Sequence, residues 1–310
     1  MQPVFVVLDS QLKAPQVALT KGVRLARGLR APLVVFVNAY SAALVRAAGD
    51  ESSTLIQARK AVNHGWQARI ETLLDECDAQ DLDVDIRIEW VKDDDEALRD
   101  AVLEARPALV VVHAGDDSHP LKRLLLTPRH WQLLRKAPCS VLCVNDAPWV
   151  GDVPVLAAVD PDHDEGRLEG LNAAIVRAAR EMSDVLDSSL DLAHVIEHPD
   201  EALILIAGEA IPSYVDTSGN LRDYYQHRLS ALAEQAGLGP ERHVLLEGAP
   251  AAALAEYQSA HMPLLLVLGT VHRGPLRRLL LGSTAEKIAQ QASGDLLVVK
   301  DEHFSSPWQD

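Results

Sequence analysis

"PLLLVLGTVHRGPLRRLLLGSTAEKIAQQASGDLLVVKDEHF", residues 263–304, lies over "ALVVVHAGDDSHPLKRLLLTPRHWQLLRKAPCSVLCVNDAPW", residues 108–149, with "LRRLLL" matching "LKRLLL" and an apolar run closing each block. The same doubling starts both copies. "PVFVVLDS" opens residues 3–10 and "PVLAAVDP" opens residues 154–161, each a short apolar run that ends at an aspartate, Asp9 or Asp160. A chain that repeats itself at about half its 310 residues is two copies of one unit. The polar, Pro- and Gly-containing "NDAPWVGD" (145–152) marks the join, so the expected domains are 1–147 and 152–303.

Inside each copy, apolar runs alternate with stretches of helical period. Val4–Asp9 reads as a strand. Ala18, Gly22, Leu25, Ala26 and Leu29 recur at helical spacing, and "PLVVFVN" (32–38) is apolar throughout, as a strand covered on both faces must be. A long helix is expected from about Leu55 to Gln80, then a strand at 84–91. Asp93, Asp94 and Asp95 precede a short helix whose N-terminal dipole they complement. Strands at 108–113 and 140–144 follow, with a helix near His130–Arg135 between them. In the second copy, strands are expected near 154–160, 190–195, 242–247, 264–268 and 295–299. Strand–helix alternation means right-handed βαβ crossovers and an α/β fold with a parallel sheet in each copy. Such sheets bind ligands beyond the carboxyl ends of their strands, where strand order reverses. Asp9, Asp160 and the stretch 269–283 all fall at such ends. The last strands, "SVLCV" and "LLVVK", would be exposed edges if left unpaired, so the two copies are expected to pack as an internal pseudo-dimer.

Composition narrows the function. The formal net charge of -16 disfavours nucleic acid and anionic membrane as partners, and the one basic cluster is Arg273, Arg277 and Arg278. No apolar run reaches membrane-spanning length, and the N-terminus lacks a basic leader, so a cytoplasmic location is expected. Three cysteines (Cys77, Cys139, Cys143) give no disulfide framework. "HVIEH" (194–198) has the spacing of a helical metal motif, but it ends a strand and runs into Pro199, so no metal site is expected. Neither a Gly-x-Ser-x-Gly elbow nor a P-loop occurs, and no catalytic residue is assigned.

In "GTVHRGPLRRLLLGST" (269–284), a glycine closes a strand and Gly282-Ser283-Thr284 open a helix. Glycines let backbone N–H groups approach an anion, and the free N–H groups and dipole of a helix start attract one. The same Gly-Ser-Thr also serves as a plain helix cap, so phosphate cradle and ordinary turn both stand at this point.

The aligned blocks resemble the universal stress protein family, in its tandem form with two fused domains, over nearly the whole chain. The resemblance implies five-stranded α/β domains that pair through their last strands, a cytoplasmic stress-survival role, and no known chemistry. ATP-binding members carry Gly-x2-Gly-x9-Gly-(Ser/Thr). Here that pattern falls on Gly269, His272, Gly282 and Ser283, with histidine in place of the second glycine and Gly274 two residues on. The resemblance further implies that Asp160 contacts the nucleotide's sugar or base and that a residue near Val195 backs the base. The first copy departs further: Ala114 aligns with Gly269, Asp117 with His272, and Thr127-Pro128 with Gly282-Ser283. The expectation is one ATP, with magnesium as counter-ion, in the second copy at Asp160, Val195, Gly269, His272, Gly274, Gly282, Ser283 and Thr284. The alternative is an adaptor that binds no nucleotide, or a carrier of an apolar small ligand. Protein partners, and self-association beyond the fused pair, are not specified by the sequence.

Overall fold

The computed structural model describes residues 1–11, 16–49, 52–114, 128–162, 168–197, 214–270, 283–300 and 304–309. They form two compact units.

The first unit contains β1 (Val4–Val7), α1 (Val17–Leu29), β2 (Leu33–Asn38), α2 (Ala42–Ala48), α3 (Ser53–Glu76), β3 (Val84–Glu89), α4 (Asp94–Ala105), β4 (Leu109–His113), α5 (Pro128–Lys136) and β5 (Ser140–Val144). Its strands lie in the order β3-β2-β1-β4-β5, all parallel. β1 is buried along its whole length, as a central strand covered on both faces must be. Phe5 and Phe36 stack at 5.6 Å within this core. A Cβ on Gly22 would sit 2.2 Å from Val6 Cγ2, so the absent side chain is what lets α1 lie directly on β1. The C-terminal residues 305–309 pack with this unit, where Ser306 Oγ donates to Lys136 O.

One element differs from the sequence expectation. The long helix over 55–80 is shorter and has a companion. α3 stops at Glu76, Asp78 takes a left-handed backbone with φ 53°, and a short 3-10 turn spans Ala79–Asp81. Before α3 lies α2, which buries none of its residues and so carries no core-facing period to read. Ser52 separates the two helices: its hydroxyl donates to Ala48 O and accepts from Leu55 N, ending one helix and capping the next.

The second unit contains β6 (Val155–Ala158), α6 (Gly170–Leu186), β7 (Leu190–Ile196), α7 (Tyr214–Gln235), β8 (His243–Glu247), α8 (Pro250–Ala260), β9 (Leu265–Gly269), α9 (Ser283–Gln291) and β10 (Leu296–Val299). Its strands lie in the order β8-β7-β6-β9-β10, again all parallel. α6 and α7 share one face of this sheet, while α8 packs against α9 on the other, as right-handed crossovers require. Gln258, fully buried, ties the entries to the last two strands. Its amide donates to Leu264 O and Asp295 O and accepts from Ser293 N.

In both units the strand order reverses beside the first strand: between β1 and β4, and between β6 and β9. That is where a doubly wound sheet opens a ligand crevice.

Candidate functional site

The ladders fix what stands side by side at each crevice. In the second unit, Ala158 pairs with Ala193 and Ala157 with Val267. Val159 N still donates to Ala193 O, so the register continues past the strand. Asp160 therefore lies alongside Val195 on one side and Thr270 on the other, with Gly269 one residue before. Three of the expected residues, Asp160, Val195 and Gly269, are thus brought together. Ser283 begins α9. His272, Gly274 and Gly282 lie outside the described residues, and of Ser283 and Thr284 only the backbone is described.

The backbone at Asp160 is held by Asn172, 2% exposed on α6. The Asn172 amide donates to Asp160 O at 2.8 Å and accepts from Asp160 N at 3.1 Å. One carboxylate oxygen of Asp160 accepts from Asp162 N, closing a tight turn. Val195 is buried and stands one residue before the end of β7. Gly269 has a packing reason for being glycine: a Cβ there would lie 2.6 Å from Leu171 Cδ1, so Leu171 at the start of α6 fills that space.

The first unit repeats the turn with different residues. Asp9 N donates to Gln16 Oε1, Gln16 Nε2 donates to Asp9 O, and Asp9 Oδ1 accepts from Gln11 N. Its register places Asn38 and Ala114 beside Asp9. The ladders also correct the alignment at the end of β4. Val4 pairs with Leu109 as Val155 pairs with Leu265, and His113 pairs with Val144 as Gly269 pairs with Val299. His113, not Ala114, occupies the place of Gly269, and Ala114 matches Thr270. Both of these last donate their N–H to the carbonyl of the last residue of the final strand. The connection that follows is one residue longer in the first copy, which is why the sequence blocks align through the helix but slip at the strand.

Side chains at the first crevice bind one another. Asn38 donates to Val91 O and to Asp94 Oδ1. Arg129, on the first turn of α5, reaches Asp94 at 3.0 Å, and Gln132 donates to Asp95. Burial pulls the Arg129 guanidinium below its usual range, with Asp94, Asp95 and Asp9 opposing the shift. His113 Nε2 lies 2.7 Å from Asp146. The start of α4 carries Asp94, Asp95 and Glu96 behind the Asp93 cap, whereas α8 starts Ala249-Pro250-Ala251 without charge.

His194 sits on β7, as the strand reading of "HVIEH" expects. Its Nδ1 lies 3.1 Å from Val159 O, and its ring packs 4.5 Å from that of Tyr225. His198 is outside the described residues. Sequence reasoning missed Asn172 and Gln16. A polar residue at a buried phase of an amphipathic helix was the available signal for Asn172. It also missed Tyr224, Tyr225 and Arg228 of α7, which reach the Asp160 turn and carry no local signature.

The comparisons with known proteins agree with this architecture. The model of the universal stress protein family matches residues 1–145 and again 154–300. The chain is 26% identical to the universal stress protein E homolog of Haemophilus influenzae over 96% of each chain. It is 27% identical to universal stress protein E of Escherichia coli K12, over 72% of this chain and 70% of that one. Among solved structures, a functionally unknown protein from Pseudomonas aeruginosa PAO1 superposes with a TM-score of 0.70 at 21% identity, covering 97% of this chain and 93% of the other. A universal stress protein from Archaeoglobus fulgidus gives 0.58 at 13% identity, covering 97% and 99%. With the repeat, the five-stranded sheets and two family matches that together span nearly its whole length, this chain belongs to the universal stress protein family, in tandem form.

Proposed function

We propose that the second half of this tandem universal stress protein binds one adenine nucleotide, ATP with magnesium as counter-ion, and that the protein acts as a non-catalytic stress regulator in the cytoplasm. The observation that carries the reading is the asymmetry between the two crevices. At the first, Asn38, Asp94, Asp95 and Arg129 form a polar network with an excess of carboxylate, in which the buried Arg129 Nε has no partner among the described residues. At the second, Asp160 stands between Val195 and Thr270, with Gly269 one residue before, and the nearby start of α8 carries no charge to repel a polyanion. α9 begins at Ser283, which suits a helix N-terminus that takes a phosphate. Gly282 and Gly269 would allow close backbone approach, Ser283 and Thr284 would offer N–H and hydroxyl donors, and Asp160 the sugar contact. Arg277 and Arg278 would offset the acidic field of the chain. Among the described residues of the first crevice, the bonded side chains Asn38, Asp94, Asp95 and Arg129 are polar, which does not favour the carrier reading. Among the described residues no helix is long and apolar enough to cross a membrane.

Calorimetry with Mg-ATP on the wild type, His272→Gly and Gly282→Asp tests the reading. Wild type is expected to bind one nucleotide weakly, His272→Gly more tightly, and Gly282→Asp not at all. If ATP binds only the folded state, ligand at 100 times its Kd adds about 2.7 kcal/mol of stability. Failure of both wild type and His272→Gly to bind at millimolar ATP would overturn the reading, and 269–284 would then be an ordinary helix-capping turn.

A further inference from the structure

The turn after β6 is tied to α7 by a set of contacts that has no counterpart among the described residues of the first half. Asp162 accepts hydrogen bonds from two neighbouring tyrosines, Tyr224 Oη at 2.9 Å on Oδ1 and Tyr225 Oη at 2.7 Å on Oδ2. Arg228, one turn further along the helix, donates from Nε and Nη2 to Pro161 O and lies 3.6 Å from Asp162 Oδ1. Its guanidinium also sits 5.3 Å over the Tyr224 ring. The Tyr225 ring packs on His194, whose Nδ1 meets Val159 O. Every residue from Val159 to Asp162 is therefore bonded to α6, β7 or α7, or within the turn itself. In the first half the matching turn, Asp9–Gln11, keeps the amide from Gln16 and its own internal bond. Among the described residues, no α3 side chain reaches it.

We infer that Asp162, Tyr224, Tyr225 and Arg228 are positioning residues that hold Asp160 ready for a ligand and transmit its occupancy to α7. This inference rests on the nucleotide reading of the same crevice. Three physical points carry it. Asp160 N is used internally, and its O and one carboxylate oxygen each already accept a bond, so the other carboxylate oxygen is the one left with its full accepting capacity for a ligand. The direction of that oxygen is set by the turn. Residues 161 and 162 of the turn are held from outside by groups on α7, so a ligand that stiffens the turn through Asp160 stiffens α7 by reciprocity. The tyrosine donors stay protonated over the working range: burial first, then the bond to Asp162, pushes Tyr225 up to about 12. Tyr224, although 44% exposed, is held by three partners rather than left to wave in solvent.

Hydrogen–deuterium exchange of the full chain with and without saturating Mg-ATP, alongside calorimetry, provides the test. In wild type, ATP is expected to slow exchange in the peptide covering 221–235 at least about threefold and to leave α3 unchanged. The double variant Tyr224→Phe/Tyr225→Phe keeps both rings and removes only the hydroxyls. It is expected to fold, to bind ATP about three- to tenfold more weakly, and to lose the ATP-dependent protection of α7. Asp162→Asn, which retains one acceptor oxygen, should fall between. A merely structural role would lower α7 protection equally with and without ATP, and that result would overturn the inference. Bound ATP with no change in wild-type α7 would overturn it while leaving the nucleotide reading intact. No ATP binding at all would overturn both.

Discussion

The two crevices are built on one frame and finished in opposite ways. Each places an aspartate at the end of the first strand, fixes its backbone with a buried side-chain amide from the cap or first turn of the following helix, and closes the same turn on its carboxylate. In both copies, then, the amide and the turn belong to the fold. What differs is the flanks. The first half sets Asn38 beside Asp9 and His113 where the second has Gly269, then binds these surroundings to its own Asp94, Asp146 and Arg129. The second half sets valine and glycine there and turns its polar groups to α7. An aspartate at a strand end is therefore weak evidence for a ligand. The evidence lies in which side chains flank it and how much carboxylate they bring.

That comparison can be broken most forcefully at Gly269. Gly269→Val would drive a branched side chain into Leu171, and overpacking of this kind costs about 1–3 kcal/mol. His113→Val, at the matching place, should cost less, since His113 is partly exposed and gives up its contact with Asp146. Urea unfolding of both variants checks the pair. Equal losses would mean that His113 and Gly269 are not equivalent.

Next in size is the amide common to both halves. Asn172→Ala and Gln16→Ala each leave a part-buried N–H and C=O without that partner, with an expected loss of about 1 kcal/mol in each case. A loss confined to Asn172→Ala would show that the first turn is held by something else.

A third test concerns charge. Arg129→Ser removes the internal cation from the first crevice but leaves Asp9, Asp94 and Asp95 in place. The number of ATP molecules bound per chain should stay at one. A rise to two in calorimetry would mean that Arg129 alone closes the first site.

The smallest effect is expected at the opposite end of the strands. Asp191 stands where the first half has Val34 and lies 3.2 Å from Arg242. Burial raises its pKa, with Arg242 opposing. A folded value above the unfolded one means that its contribution to stability is fully present below the ordinary carboxylate range. That contribution is lost as pH rises through the folded value. Asp191→Val should therefore look better relative to wild type at pH 7 than at pH 4, with a change under about 1 kcal/mol at either pH. Thermal melts at the two pH values decide it, and an opposite trend would mean that the pair with Arg242 dominates.

The repeat, the strand–helix alternation and the parallel sheets were legible in the chain because each rests on local period and composition: "PVFVVLDS" and "PVLAAVDP" end at aspartates that the structure places at equivalent turns. The helix α2 was not legible, since a helix that buries nothing has no apolar face to announce it. Nor was the slip of one residue between His113 and Ala114, because similar apolar strands align equally well in two registers and only ladder pairing chooses between them. The contacts of Tyr224, Tyr225 and Arg228 with residues 161 and 162 cross more than sixty positions of chain. No local pattern encodes such a distance. It is set when α7 packs beside α6 on the sheet, and so the sequence determined the frame of each crevice while tertiary packing decided which side chains complete it.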